Sequence, residues 1–307
     1  MDHGAYISDK GIYRVGRRFY SHKNGDEVIC PKVLERLNKI VVPPAWTNLW
    51  YASNPKCHII LHGIDNGGKK QYILSERWIK NATSEKFNKL KQFIKDIPQF
   101  RKLIRLPESV SLTRQNIINL LFNLLIDLHI RVGNEIYAEQ NKTYGLTTLR
   151  QKHLKVNGNQ LSLKFVGKSG ISHCINLPEV YRPWFYALKN TDRNKPLFYC
   201  PEGIISSEDL NNFLKQNMGK GYTCKDFRTY SANILFIKAF LKNCKTVAFP
   251  KKCVLASIDE SARDLGHTRT ISRKSYISHD LVDYCLNYFS EASSSAPGVL
   301  LSKIWGS

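Results

Sequence analysis

Leu265-Gly266-His267-Thr268-Arg269-Thr270-Ile271-Ser272-Arg273-Lys274-Ser275-Tyr276 reads as the end of one helix and the start of another. Ser257 to Leu265 has helical spacing, Gly266 stands where a terminating glycine belongs, and Thr268 or Thr270 can cap the second helix. A histidine just after a helix stop has its ring nitrogens available to a ligand. Nine residues later Tyr276 comes after three basic residues, Arg269, Arg273 and Lys274. Cations favour the phenolate over its usual pKa of about 10, which makes Tyr276 a candidate nucleophile toward phosphorus. With nine histidines and fifteen tyrosines in the chain, one such pairing is within reach of chance, so the rest of the sequence must decide.

The 307 residues carry a formal net charge of +21, spread along the chain rather than gathered in a tail. That surplus points to a folded surface for a polyanion and away from an enzyme of small neutral metabolites. A hydrophobic content of 42% argues against disorder, and the length suffices for two cores. The eight cysteines form no Cys-x-x-Cys pair and the start Met1-Asp2-His3-Gly4 is polar, so reduced thiols in an intracellular, non-secreted protein are expected. Cys57, His58 and His62 suggest metal ligands, but no second cluster completes a tetrahedral set, and no metal or other cofactor is expected. Ile117 to Ile130, interrupted by Asn123, Asp127 and His129, is too short and polar for a bilayer and reads as a core helix.

The chain is expected to be α+β, with a β-rich domain over 1–82 and a mainly helical one over 83–307. Ile12 to Tyr20 alternates toward a turn at Lys23-Asn24-Gly25-Asp26, and Pro31 to Leu37 suits a short helix. His58 to Ile64, then Asn66-Gly67-Gly68, then Gln71 to Leu74 signals a hairpin. Lys69, Lys70, Gln71 and Tyr72 at its tip are candidates for DNA-groove contacts, since a two-stranded ribbon fits a major groove. Gly63 to Lys70 nearly matches the phosphate-binding loop Gly-x4-Gly-Lys-[Ser/Thr], but Lys70 replaces the hydroxyl and a strand is expected where a helix is required. In Ser162 to Ser169, Ser162 stands where the first glycine should be, so neither is a nucleotide site. The pattern turns helical around Trp78 to Thr83, and helices are expected over Ser84–Ile97 and Leu112–Ile130. Arg131 comes directly after the second. Lys155 to His173 reads as a hairpin region whose tip, Gly167-Lys168-Ser169-Gly170, projects one ammonium. Lys225-Asp226-Phe227-Arg228-Thr229-Tyr230 opens an apolar-faced helix, where backbone amides and Arg228 would favour phosphate. A helix to about Phe289 and a flexible Ser293–Gly298 segment complete the expectation.

In chain order there is thus Arg131 after a core helix, Lys168 on a turn, Arg228 opening a helix, then His267 and Tyr276. With Arg131-Val132-Gly133-Asn134, Thr143-Tyr144-Gly145-Leu146-Thr147-Thr148-Leu149, Phe165-Val166-Gly167-Lys168, Lys225 to Tyr230, Leu265 to Thr268 and Ser272 to Tyr276, the sequence resembles the small type IB DNA topoisomerases of poxviruses, other large DNA viruses and bacteria. Pro43-Pro44-Ala45-Trp46, Gly63-Ile64-Asp65 and Gly68 to Tyr72 are similar to the N-terminal parts of the same family. The resemblance covers nearly the whole chain and is weakest in residues 1–10 and after Tyr284.

It implies the fold shared by tyrosine recombinases and type IB topoisomerases, and a monomer closing on duplex DNA as a C-shaped clamp. It implies Tyr276 as nucleophile, Arg131, Arg228 and His267 as stabilisers of the transition-state charge, and Lys168 as general acid. Tyr144, Arg273 and Lys274 join the hairpin residues as expected DNA contacts. No Asp-x-Asp pair for magnesium occurs in the sequence, so catalysis without metal or ATP is expected. Leu74 replaces a second aromatic found in some relatives, which leaves any cleavage-site preference open. A tyrosine recombinase shares the residue order, but Lys225 to Arg228 has the topoisomerase form rather than His-x-x-Arg. A non-catalytic architectural DNA-binding protein is the remaining alternative.

Overall fold

The computed structural model describes residues 10–219, 221–245 and 249–305. The polar start Met1 to Gly4 lies outside the described residues. Two compact units divide the chain, Met1–Lys86 and Phe87–Ser307.

The first unit holds β1 (Ile12–Val15), β2 (Arg18–Ser21), α1 (Pro31–Asn38), β3 (Thr47–Tyr51), β4 (Ile59–Ile64) and β5 (Lys70–Leu74). Its strands form one antiparallel sheet in the order β2-β1-β3-β4-β5. The alternation from Ile12 to Tyr20 is not one strand: Gly16 at φ 59° turns the chain and folds it back on itself. One face buries Ile12, Phe19, Tyr51 and Leu61 against Leu37 of α1. Because side chains alternate, the residues between them share the other face. There Tyr20, Tyr13, Trp50, His62 and Tyr72 stand opposite one another on successive strands, an aromatic row across the whole sheet. Trp50 and His62 stack at 5.1 Å with their planes 8° apart.

Helix α2 (Glu76–Leu103) crosses the division between the units. It starts earlier than expected, and residues 78–83 lie inside it. It also runs on through Pro98, because Phe93, Ile97 and Phe100 continue a buried face that outweighs one lost backbone bond. The second unit continues with α3 (Arg114–Leu128), α4 (Glu135–Asn141), the three-stranded sheet β6 (Leu154–Asn157), β7 (Gln160–Val166) and β8 (Ser172–Asn176), and α5 (Arg182–Leu188). The short pair β9 (Tyr199–Cys200) and β10 (Gly203–Ile204) precedes α6 (Ser207–Asn217), α7 (Cys224–Asn243), α8 (Pro250–Asp264) and α9 (Arg269–Ser275). Last come α10 (His279–Asn287), α11 (Phe289–Ser294) and α12 (Pro297–Trp305), with Ser295 and Ala296, inside the segment Ser293–Gly298 expected to be flexible, separating the last two helices.

Helix α7 is the axis of this unit. Phe227 on its first turns belongs to the cluster built on α2, α3 and β7, with Phe122, Leu124 and Leu163. Ala232, Phe236, Ile237 and Phe240 belong to a second cluster, with Ile258 of α8 and Leu281 of α10. Polar side chains on α7 between the two clusters are therefore enclosed from both directions, and each needs a partner. Arg228 and Asn233 occupy that belt, 9% and 0% exposed.

Candidate active site

Four of the five residues singled out for chemistry meet in one place, and the fifth stands at its rim. His267 is delivered by a helix ending whose hydrogen bonds are complete. Gly266 adopts φ 60°, its N–H donates to Arg263 O at 3.0 Å, and the His267 N–H donates to Ala262 O at 2.7 Å. This double closure is the Schellman arrangement, which a residue with a β-carbon enters only at a cost. Of the two threonines expected to cap α9, Thr268 does so, its hydroxyl accepting from the Ile271 N–H at 3.3 Å.

The His267 ring is the hub. Arg131 Nη2 donates to its Nε2 at 2.9 Å, and Arg228 Nη2 lies 3.2 Å from the same atom. A guanidinium offers only donors, so Nε2 must be the unprotonated nitrogen and the proton sits on Nδ1. Nδ1 faces the Ser272 hydroxyl at 3.3 Å. Burial, then the charges of Arg228, Arg131 and Lys168, push the imidazole down to about 3, so it is neutral at physiological pH. The Tyr276 ring stacks on it, centroids 4.4 Å apart and planes 26° apart.

Arg131 is held by a backbone interlock. Helix α3 ends at His129, φ 55°, and the Arg131 carbonyl then accepts from the Leu146 N–H at 2.7 Å, with Val132 O accepting from Thr147 N at 2.7 Å. The two strands of chain approach so closely that a β-carbon on Gly145 would lie 2.5 Å from Gly133 N and 2.6 Å from Arg131 O. Glycine at both positions is a packing requirement. The Tyr144 N–H donates to Val166 O at 2.8 Å, tying the same segment to the Lys168 hairpin.

Arg228 sits one turn into α7. At that helix start, where backbone amides were expected to favour phosphate, Asp226 accepts from the Thr223 N–H at 2.7 Å, the Cys224 N–H donates to Asn211 Oδ1 at 3.0 Å, and Asp226 also pairs with Lys89 at 2.7 Å. Arg228 instead reaches sideways, Nη1 donating to His129 O at 2.6 Å and Nη2 to Leu265 O. Its Nε is buried with no hydrogen-bond partner among the described residues. Burial and the neighbouring Arg131 push the guanidinium down to about 9, still charged at neutral pH. Lys168 is exposed on the turn after β7 and lines one cleft with Arg131, Tyr144, His173 and Arg228.

Residues that the sequence did not single out complete the site. Asn233 Nδ2 donates to Thr229 O at 2.7 Å and to the Tyr276 carbonyl at 2.9 Å, while its Oδ1 accepts from the Ser278 N–H at 2.9 Å. The backbone of Tyr276 is thereby fixed to the helix that carries Arg228. An asparagine among the apolar residues of α7 was the only signal available. Arg273 and Lys274 are exposed at the end of α9. In the first unit, Lys69, Lys70 and Tyr72 are exposed, with Lys70 Nζ 5.7 Å from the centre of the Tyr72 ring. Gln71 differs: its amide donates to Asp65 Oδ2 at 2.7 Å, bracing the turn from within. Asp65 Oδ1 accepts from the N–H groups of Lys69 and Gly67, both at 2.9 Å, and the bonds from Lys69 first and then Gln71 hold its carboxyl below the usual range.

Among the described residues no helix is long and apolar enough to cross a membrane. Residues 75–291 match the family described as eukaryotic DNA topoisomerase I, catalytic core, and residues 18–65 match the N-terminal domain of bacterial DNA topoisomerase IB. The DNA topoisomerase 1B of Acanthamoeba polyphaga mimivirus is 35% identical over 96% of this chain and 94% of its own length. The DNA topoisomerase 1B of vaccinia virus (strain Copenhagen) is 28% identical over 73% of this chain and 72% of its own. DNA topoisomerase 1 beta of Arabidopsis thaliana is 31% identical over 48% of this chain and 16% of its own.

Proposed function

The chain belongs to the type IB DNA topoisomerases, and from that premise we propose that it relaxes supercoiled duplex DNA through a covalent link at Tyr276. The Tyr276 oxygen attacks a backbone phosphorus in line. The bond from phosphorus to the phenolic oxygen forms as the bond to the 5′-oxygen breaks, leaving a 3′-phosphotyrosyl link and a 5′-hydroxyl. The phenol gives up its proton, and Lys168 protonates the departing 5′-oxygen, which would otherwise leave as a poor alkoxide. Swivelling of the freed end releases turns. Attack by the 5′-hydroxyl then reverses each bond change and restores the strand. The two steps have similar energies, so no ATP is needed.

Negative charge grows on the nonbridging oxygens in the transition state, and protein cations take the part that a metal takes in other phosphoryl-transfer enzymes. The observation that carries this reading is the convergence at His267 Nε2. Two guanidiniums share that one acceptor at 2.9 and 3.2 Å, beside the stacked Tyr276 ring. A phosphodiester oxygen is a stronger acceptor than an imidazole and would draw both forks to itself. The orphan Nε of Arg228 supports the same placement, since a buried donor without a partner costs about 1–3 kcal/mol unless a ligand supplies one. On the same reading a single chain closes its two units on duplex DNA inside a cell or virion, with Lys69, Lys70, Tyr72, Tyr144, Arg273 and Lys274 toward the duplex.

Relaxation of supercoiled plasmid in EDTA, without ATP, tests the reading. Wild type is expected to relax it, and Tyr276→Phe to bind the plasmid but neither relax it nor trap a covalent adduct. A plasmid without any recombination site keeps a recombinase from giving the same result. Relaxation that survives the loss of the phenol oxygen would overturn the proposal.

A further inference from the structure

His173 lies one residue into β8, directly opposite Phe165 of β7, and their rings stack at 5.0 Å with planes 19° apart. Two glycines bracket the imidazole. A β-carbon on Gly167 would stand 2.7 Å from His173 Nε2, and one on Gly266 would stand 3.3 Å from His173 Cε1 and 3.4 Å from Ile171 Cγ2. Gly167 is the residue before Lys168, and Gly266 is the residue before His267. One ring therefore touches the two short turns that present two different groups of the site. Both turns are rigid locally: Gly167 N–H donates to Ile171 O at 2.8 Å, and the Gly266 turn is closed by its Schellman bonds. The distance between them is left to what packs in the seam. The ring is half-buried, and burial together with Arg228 and Arg131 lowers its pKa, so it packs as a neutral spacer beside those cations.

From this we infer that His173 is a positioning residue for the leaving-group proton. Its ring, with Ile171, sets the Lys168 turn against the His267 turn, so that the general acid and the phosphate-binding groups address one phosphodiester. A β-carbon on Gly167 would force the His173 ring to move, whereas at Gly266 it would press on His173 and Ile171 at 3.3–3.5 Å and its positive φ would be strained. The inference rests on the reading of Lys168 as general acid, and the test separates the two.

Single-turnover cleavage is measured on two duplexes, one ordinary and one with sulfur in place of the bridging 5′-oxygen at the scissile phosphate. A thiolate leaves without a proton, because a thiol has a pKa of about 8.5 and an alcohol one near that of water, about 15.7. Lys168→Ala is therefore slow on the oxygen duplex and restored on the sulfur duplex. His173→Ala is expected to be about 10–100-fold slower than wild type on oxygen and within about threefold of it on sulfur, the size of a misplaced general acid. Ile171→Ala should show the same oxygen-only defect. Equal slowing of His173→Ala on both duplexes, whether from misfolding or displacement of the arginines, overturns the inference, as does no slowing at all. If Lys168→Ala itself stays slow on sulfur, the general-acid reading fails and takes the inference with it. If Lys168→Ala is restored and His173→Ala is not, the inference alone fails.

Discussion

His267 shows how one side chain takes its chemical state from its neighbours. Two guanidinium donors on Nε2 dictate the Nδ1 tautomer, and burial with three cations keeps the ring neutral. Burial is the larger cause and Arg228 the next, with Arg131 and Lys168 behind them. Removing one cation should therefore raise the titration midpoint without returning it to that of an exposed histidine. NMR titration of Arg131→Ala is expected to place the His267 midpoint above that of the wild type and still below 6.5. An unchanged midpoint would mean that the guanidinium does not hold the ring. The type of this residue was legible in the sequence, as were those of Arg131, Lys168, Arg228 and Tyr276. Its tautomer was not, because the partners that set it lie 136 and 39 positions away.

Among the elements, the turns carry more of the site than the helices do. Gly266 and Thr268 were readable as a stop and a cap because both signals are local: chirality penalises a β-carbon at φ 60°, and a threonine hydroxyl satisfies an amide three residues on. The interlock at Gly133 and Gly145 was visible as a motif but not as a contact, since nothing in the spacing says that the two glycines meet. Gly145→Ala pushes a methyl group to 2.5 Å from Gly133 N and is expected to cost on the order of 1–3 kcal/mol of stability. It should also slow cleavage, because the displaced backbone carries Arg131. Thermal melting and single-turnover cleavage check the two effects, and an unaltered melting temperature would mean that the segment yields freely. Helix α2 shows the opposite lesson. Proline at position 98 marks a boundary by local rules, yet the helix continues to Leu103 because Ile97 and Phe100 are buried on either side of it.

For the molecule as a whole, buried and half-buried histidines held neutral make stability depend on pH. Burial holds His62, His129 and His153 at about 4, and His267 at about 3, against 6.5 when unfolded. Between those values the unfolded chain binds more protons than the folded one, so stability is greatest above about 6.5 and falls as pH drops toward 4. Melting at pH 5 is expected below melting at pH 7.5. A melting temperature that rises on acidification would contradict these assignments. What the sequence by itself determined is what depends on composition and near neighbours: a basic surplus suited to a polyanion, an α+β division of patterns, helix stops and hairpin turns, and the chemical types of five side chains in order. Only the tertiary structure decided which atoms meet. It committed the Gln71 amide to Asp65, tied the Tyr276 carbonyl to Asn233, and set His173 between the turns of Lys168 and His267. Such contacts join residues far apart in the chain through the packing of whole elements, and local spacing carries no record of them.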